Sequence, residues 1–506
     1  MAEDRPSLRN LTRRLDNLPA MRPEENGLEM VDLSDLACTI FEQALASCNI
    51  EQAVALKVRV VERVGNGSLL FLGQHMIDLA RFRHLRILAL GKAAPAMLET
   101  FLPRLPLPPE CDLAGVLISS LYPRELPDHF EFFAGGHPMP NEASFAGARA
   151  VLRMLQAASE LALRGEDTLC LFLISGGASA MMELPLDEEI SLADTILFNR
   201  ALVYSGASIR EINCVRKHFS AVKGGRLAIA AGGAECLSIF VSDVPSGHLE
   251  TIASGPTLPD TSTVEECYEI IRRYNLLSHF PESVQRFFAS SKLPETATAQ
   301  DLAARTFTLL DAGDLAEAAR QHAGLLGFHT VIDNTCDDWD YRAASEYLLG
   351  RLRDLRQQHA RVCLISVGEV AVPLPNPGTD NHHVTLSVGG RNQHLALYTA
   401  TLLQSSDEPI AVLSAGSDGV DGNSLAAGAV VSTQTLRAAT VGVRSIDDTP
   451  DNYLHAEAQT ALQQFGSYSF FQNAGGTIMT GPTGNNLRDL RILLAEPSID
   501  STRQGE

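Results

Sequence analysis

A chain of 506 residues is too long for one compact core and, at about 150 residues per domain, reads as two to three domains. Hydrophobic residues make up 45% and charged residues 20%, globular values that exclude a disordered or fibrous chain. Forty Lys and Arg against 61 Asp and Glu leave a formal charge of −21. That excludes a nucleic-acid partner, and any anionic ligand must be met by positive charge gathered locally.

Residues 1–30 carry Arg5, Arg9, Arg13, Arg14 and Arg22 among Glu3, Asp4, Asp16, Glu24 and Glu25. With no apolar signal core, they are expected to form a flexible arm on a cytoplasmic protein. Short apolar runs then alternate with helical patterns, which predicts α/β architecture with largely parallel sheets. Strands are expected at 85–90 (LRILAL), 113–119 (LAGVLIS), 168–175 (TLCLFLIS) and 236–242 (CLSIFVS). Residues 290–301 (SSKLPETATAQD) are small, polar and proline-broken, which predicts a linker between units at 31–289 and 302–495. The second unit shows apolar runs at 306–312, 361–366, 409–415 and 477–480, helical spacing over 314–327 and 341–358, and a tail at 496–506. No apolar run reaches the roughly 18 residues of a membrane span, so no membrane partner is expected. Nine cysteines without a C-x-x-C read as reduced thiols.

Six apolar runs end in a Gly-containing turn, and in open α/β sheets such turns aim backbone N–H groups at a ligand. Ser175-Gly176-Gly177 follows the most apolar run and predicts a phosphate cradle. Lys92 follows Gly91 at an expected helix start, where its charge opposes the helix dipole and an anionic partner would compensate. Arg216, Lys217, His218, Lys223 and Arg226 surround the turn Lys223-Gly224-Gly225. This is either a binding loop or a solvated basic helix. Gly389-Gly390-Arg391 opens another helix, and a guanidinium there can grip a carboxylate or phosphate with two donors. Asp243, Glu369, Asp418 and Asp421 lie near strand ends, as needed to hold Mg²⁺ or to accept a hydroxyl proton. His382-His383 has no third ligand nearby and is expected to be exposed. Neither a Walker A loop nor a G-x-G-x-x-G after a strand occurs, which weighs against a dinucleotide site.

These loops resemble the glycerate 2-kinase family, two-domain kinases whose C-terminal part is the MOFRL domain. The matching stretches are GKAAPAM (91–97), GGHPMPNEAS (135–144), LISGGASA (173–180), REINCVRKHFSAVKGGRLA (210–228), SDVPSG…TIASGPT (242–257), GGRNQ (389–393), SAGSDGVDGNSLAAGA (414–429) and TGPTGNN (480–486). The resemblance implies two Rossmann-like domains, an interdomain cleft, and ATP-dependent, Mg²⁺-assisted phosphorylation of D-glycerate to 2-phosphoglycerate. It also implies that Lys92 and Arg391 match the family's active-site lysine and arginine. Chemistry suggests the remaining roles. Ser175, Gly176, Gly177, Lys223, Gly224 and Gly225 would bind phosphates, and Glu369 and Asp418 would lie at the nucleotide. Asp243 would be base or metal ligand, with Asp421 as a second metal ligand. Arg391 would hold the glycerate carboxylate or the moving phosphoryl group. Replacing Lys92 or Arg391 by Ala is expected to cost turnover with little loss of stability. A small hydroxy acid is the expected partner, and a homodimer stays open. A hydroxypyruvate reductase, an older label of the family, and a non-catalytic ligand-binding member remain as alternatives. The second draws on Ala178, Val367 and the 246–248 loop, where the chain departs from the family pattern.

Overall fold

The apolar runs expected in the first half all become strands. The computed structural model describes residues 32–497 apart from 63–67, 246, 291, 303–304, 374–386, 405–406 and 438–449. The expected N-terminal arm, most of the tail, Ser246 and His382-His383 lie outside the described residues. A small antiparallel sheet comes first, from β1 (Val58–Glu62), β2 (Ser68–Leu72) and β3 (His75–Asp78). Then follow β4 (His84–Leu90), β5 (Asp112–Ser119), β6 (Phe130–Ala134), β7 (Thr168–Ser175), β8 (Glu235–Val241) and β9 (Arg305–Leu310). They pair in the order β6-β5-β4-β7-β8-β9, every pairing parallel. The order runs outward in both directions from β4 and β7, the doubly wound arrangement whose switch point opens a crevice at the strand ends. The loops after β4 and β7 carry Lys92 and Ser175-Gly176-Gly177, so both motifs flank that crevice.

A parallel sheet must be covered on both faces, and all eight residues of β7 are buried. One cover is the long helix Glu142–Leu163, started by a reciprocal Asn141–Ser144 capping box. Four further helices, Leu192–Val203, Ile209–Phe219, Val264–Arg273 and Glu282–Ser290, form a lobe beside the sheet. Its core is aromatic: Phe198 and Phe219 stack with centroids 4.1 Å apart, and Phe280, Phe287 and Phe288 close around them.

The second sheet is built from β10 (His329–Ile332), β11 (Val362–Gly368), β12 (Ile410–Gly416), β13 (Gly428–Ser432), β14 (Thr477–Ile478) and β15 (Asp489–Ala495), in the order β10-β11-β15-β12-β13-β14. Only β10 and β11 pair in parallel, because β15 inserts between β11 and β12 and runs against both. This sheet is therefore mixed where a largely parallel one is expected. The reversal has a consequence for the site. The first residue of β15, Asp489, is registered with Gly368 and Gly416, the last residues of β11 and β12.

The sheets divide the chain differently from the expected linker. Arg305–Leu310, assigned to the second unit from sequence, is the edge strand of the first sheet. Within 290–301, Thr296 and Ala297 are buried, and Ala297 exchanges backbone hydrogen bonds with Gly224 and Asp260. At the other end, the helix Leu33–Ser47 covers β12, β13 and β15 rather than the first sheet. Ile40 and Phe41 from this helix belong to one buried cluster that also holds Ile87, Leu173, Leu413 and Ile492, so a single apolar core links the two sheets. A fragment ending at residue 301 would lose β9 from the edge of β8 and strip the Leu33–Ser47 helix of its sheet. We expect such a fragment to show no cooperative thermal unfolding by circular dichroism; a cooperative transition would show that the shared core is dispensable.

Candidate active site

Gly91 follows β4 with φ +115°, and a Cβ there would stand 2.4 Å from Ser175 Oγ. The chain therefore turns tightly and lets two loops dock. Ser175 Oγ accepts the N–H of Ala93 at 3.0 Å, and the N–H of Lys92 donates to the Gly176 carbonyl at 3.0 Å. Ser175 is thus a clasp between loops rather than a phosphate ligand. The Lys92 backbone is held and its side chain is exposed, lying over Gly177 beside His137. At Gly176 a Cβ would come within 1.9 Å of Asp243 Oδ2, so only glycine lets the loop pass the carboxylate that follows β8.

Gly176, Gly177, His137 and Asp243 line a cavity of about 1100 Å³ that extends under the helical lobe. Its opposite rim is the carboxyl edge of the second sheet, represented by Asp338, Glu369 and Arg488. The two walls touch where Asn486 Nδ2 donates to Asp243 Oδ2 at 3.1 Å. Arg391 starts its helix beside β15 and is fastened by Nε to Asp489 Oδ2 at 2.6 Å and by Nη2 to Asp489 Oδ1 and Glu369 Oε1, both at 3.1 Å. Burial alone would lower its pKa, but the bonds and charge of Asp489, then Glu369 and Asp421, hold it above its ordinary value.

The two carboxylates of the cleft are poised in the opposite sense. Burial raises Asp243 above the ordinary carboxyl range, against its own backbone N–H, Lys92 and Arg488. Burial likewise raises Glu369, opposed by Arg391 and Arg488 and assisted by Asp489 and Asp243. Each side of the cleft therefore feels charges on the other. His137 is pushed below its usual value by burial and by Lys92, which favours the neutral ring.

Several expected site residues lie elsewhere. Lys223 is fully enclosed, with Nζ 2.6 Å from Glu183 Oε2 and 3.3 Å from the Met182 carbonyl; burial lowers its pKa against the Glu183 charge. The N–H groups of Gly224 and Gly225 donate to the carbonyls of Ser254 and Gly255, at 3.1 and 2.7 Å, which leaves no donors for an anion. Lys217 does line the cavity, but its charge is spent on Asp260 at 2.8 Å. The basic turn is an internal ion-pair knot because carboxylates distant in sequence neutralise it. Asp421 accepts the N–H groups of Asn392 and Gln393 at 3.0 and 2.9 Å, one on each oxygen, and caps the helix that begins at Arg391. Asp418 Oδ1 accepts the Val420 N–H in a turn and does not line the cavity. Asp421, with both oxygens engaged, is not free to be the metal ligand anticipated for it, and Asp418, expected at the nucleotide, lies outside the cavity.

Sequence reasoning gave no role to His137, Asp337, Arg488 or Asp489. His137 lies in the quoted GGHPMPN stretch, and Arg488 directly follows TGPTGNN, so proximity to a glycine-rich turn was the available signal.

Comparison with known proteins identifies the family. Residues 36–289 match a domain of unknown function (DUF4147), and residues 362–489 match the MOFRL family. The D-glycerate 2-kinase of Thermotoga maritima is 34% identical over 384 residues, 75% of this chain and 83% of its own. The glycerate 2-kinase of Pyrococcus horikoshii is 32% identical over 416 residues, 81% of this chain and 86% of its own. The chain belongs to the glycerate 2-kinase family. A crystal structure of a Thermotoga maritima glycerate kinase superposes with a TM-score of 0.70 at 29% identity, covering 92% of this chain and 99% of that one.

In this member of the glycerate 2-kinase family the two conspicuous cations are built differently, which corrects the expectation of equal stability costs. Lys92→Ala should change unfolding free energy by no more than about 0.5 kcal/mol, as for an exposed side chain. Arg391→Ala leaves Asp489, 2% exposed, without its partner. Because Arg391 is itself 38% exposed, a loss near the lower end of about 3–5 kcal/mol is expected. Urea denaturation of both variants measures the difference.

Proposed function

We propose that this chain transfers the terminal phosphoryl group of ATP to a hydroxyl of D-glycerate, with Mg²⁺, giving 2-phosphoglycerate. The observation that carries the reading is the cleft lined by Gly176-Gly177 and Asp243 of one sheet and by Glu369 and Arg488 of the other, with Lys92 lying over Gly177 and Arg391 bonded to Glu369. Kinase relatives support it by name. A cavity of about 1100 Å³ also exceeds the roughly 300–1000 Å³ of an ordinary small-ligand pocket and so suits two substrates.

Phosphoryl transfer demands positioning and charge neutralisation more than covalent help. In this reading the glycerate hydroxyl oxygen bonds to the terminal phosphorus as the bond from phosphorus to the ADP oxygen breaks. The hydroxyl proton passes to Asp243, whose raised pKa makes it a better acceptor than an ordinary aspartate. Lys92 provides a mobile point charge over the Gly176-Gly177 turn, and Arg391 keeps Glu369 in place. Among the described residues no three His, Cys, Asp or Glu side chains form a metal cage. This fits Mg²⁺, which is commonly held by one or two carboxylates together with substrate phosphates. Glu369, with one oxygen engaged by Arg391, is the cleft carboxylate placed to hold it, which leaves Asp243 for the hydroxyl proton. Bound Mg²⁺ would supply neutralisation of the phosphate oxygens.

Purified protein with ATP, Mg²⁺ and D-glycerate should form ADP and 2-phosphoglycerate, resolved from the 3-isomer by phosphorus NMR. Absence of any phosphorylated acid would defeat the reading. Lys92→Ala should lower kcat/KM by at least about a hundredfold, a loss of about 3 kcal/mol of transition-state stabilisation.

The pH profile gives an independent check. Asp243 must be ionised to accept a proton, so activity should fall on the acid side, with a limb above the roughly 3.9 of a free aspartate. Lys92 favours the ionised form, so Lys92→Met should move that limb to higher pH. A limb that moves down, or stays in place, would show that Asp243 is not the group titrating.

A further inference from the structure

Arg488 and Asp338 both adopt left-handed backbone, φ +68° and +62°, a conformation costly for residues with side chains. They face each other on the rim of the cavity. Arg488 Nη1 donates to Asp337 Oδ2 at 2.5 Å, whereas Nη2 reaches Asp338 Oδ1 only at 3.4 Å. Asp337 is itself anchored, since its other oxygen accepts the Glu369 N–H at 3.0 Å. The two partners also differ in solvation: the Asp338 side chain is 71% exposed and that of Asp337 25%, while Arg488 is 5% exposed and its Nε has no partner. One arm of the guanidinium is thus tied to a fixed carboxylate and the other rests loosely on a hydrated one.

Arg210, Arg216 and Lys217 also line the cavity, but from the lobe helix Ile209–Phe219, where Arg216 Nε is bonded to Asn199 Oδ1 and Lys217 to Asp260. The remaining cations beside the cleft carboxylates Asp243 and Glu369 are less suited to a planar anion. Arg391 already gives Nε and Nη2 to Asp489 and Glu369, and Lys92 lacks a forked donor set. We infer that Arg488 is the carboxylate-recognition residue of this site, and that the carboxylate of a small hydroxy acid displaces Asp338 from Nη2 while Asp337 holds the other arm. This rests on the kinase reading above and names the residue that would select its acceptor. Exchanging one carboxylate for another leaves the buried guanidinium compensated throughout, and Asp338 returns to water at small cost because an exposed pair is worth little. An acceptor without a carboxylate cannot make the exchange, so glycerol would be rejected although it carries the same hydroxyl chemistry.

The test compares wild type, Arg488→Ala, Arg488→Lys and Asp338→Ala in full-length protein, using KM for D-glycerate and for ATP and calorimetric binding of D-glycerate without nucleotide. Arg488→Ala should raise the glycerate KM and dissociation constant about 10- to 100-fold, as for a charge-assisted hydrogen bond, with the ATP KM changed less than about twofold. Arg488→Lys should not restore them. Asp338→Ala removes the competitor from an exposed position and should leave glycerate affinity equal to or tighter than wild type; it decides the matter if Arg488→Ala fails to fold. A rise confined to ATP, or a glycerate KM weakened as much by Asp338→Ala as by Arg488→Ala, would overturn the inference. Wild-type turnover with glycerate and an unchanged KM in Arg488→Ala sinks the assignment but keeps the kinase. Arg488-dependent glycerate binding without turnover sinks the kinase but keeps the assignment.

Discussion

The arrangement depends on charge compensation across a narrow gap between two sheet edges. A chain with a formal charge of −21 cannot leave cations bare for long, since each carboxylate that folding brings near will claim one. The interior shows this in Lys223 with Glu183 and Lys217 with Asp260, pairs in which the charge is consumed. The cleft shows the other solution. Arg391 and Arg488 are each held by a carboxylate, Asp489 and Asp337, that orients them without enclosing them completely. Oriented but incompletely satisfied donors are what recognition of an anionic ligand requires.

The strand directions make this possible. A doubly wound parallel sheet gathers its loops at one edge, and the switch point between β4 and β7 puts Lys92 beside Gly176-Gly177. The second sheet obtains a comparable edge by different means. Because β15 runs antiparallel between β11 and β12, its beginning meets their ends, and Arg488-Asp489 joins Gly368-Glu369 at one rim. The shared apolar core, threaded by the Leu33–Ser47 helix, then fixes one rim against the other. Precise placement of charge across the gap is thus a product of apolar burial some distance below it.

Much of the scaffold was legible in advance because buried parallel strands write continuous apolar runs. TLCLFLIS became β7 residue for residue, and the other expected runs shifted by only a residue or two at most of their ends. β15 escaped notice because Asp489 and Arg491 interrupt its pattern; Arg491 is nonetheless fully buried, bonded to the Gly368 carbonyl and Ser366 Oγ. The linker reading failed for a related reason. Residues 290–301 look polar and broken, yet Thr296 and Ala297 fill space left beside the glycines of 224–225. Among candidate site residues, Lys92, Gly176, Gly177, Asp243 and Glu369 reached the cleft, all placed there by the ends of recognisable strands, and Arg391 joins its rim through Glu369.

The order of residues by itself determined the α/β class, most strand positions, the glycine turns at strand ends and the resemblance that named the family. Those features are local, set by apolar periodicity and backbone freedom within a few residues. The tertiary structure alone decided which cations remain available to a ligand, because a lysine is spent or spared according to the carboxylate that folding sets beside it. Lys223 meets Glu183 from 40 positions away, whereas Lys92 has Asp243 near enough to influence but not to neutralise. Such pairings belong to the packed chain, since Coulomb interaction depends on separation in space and ignores separation in sequence.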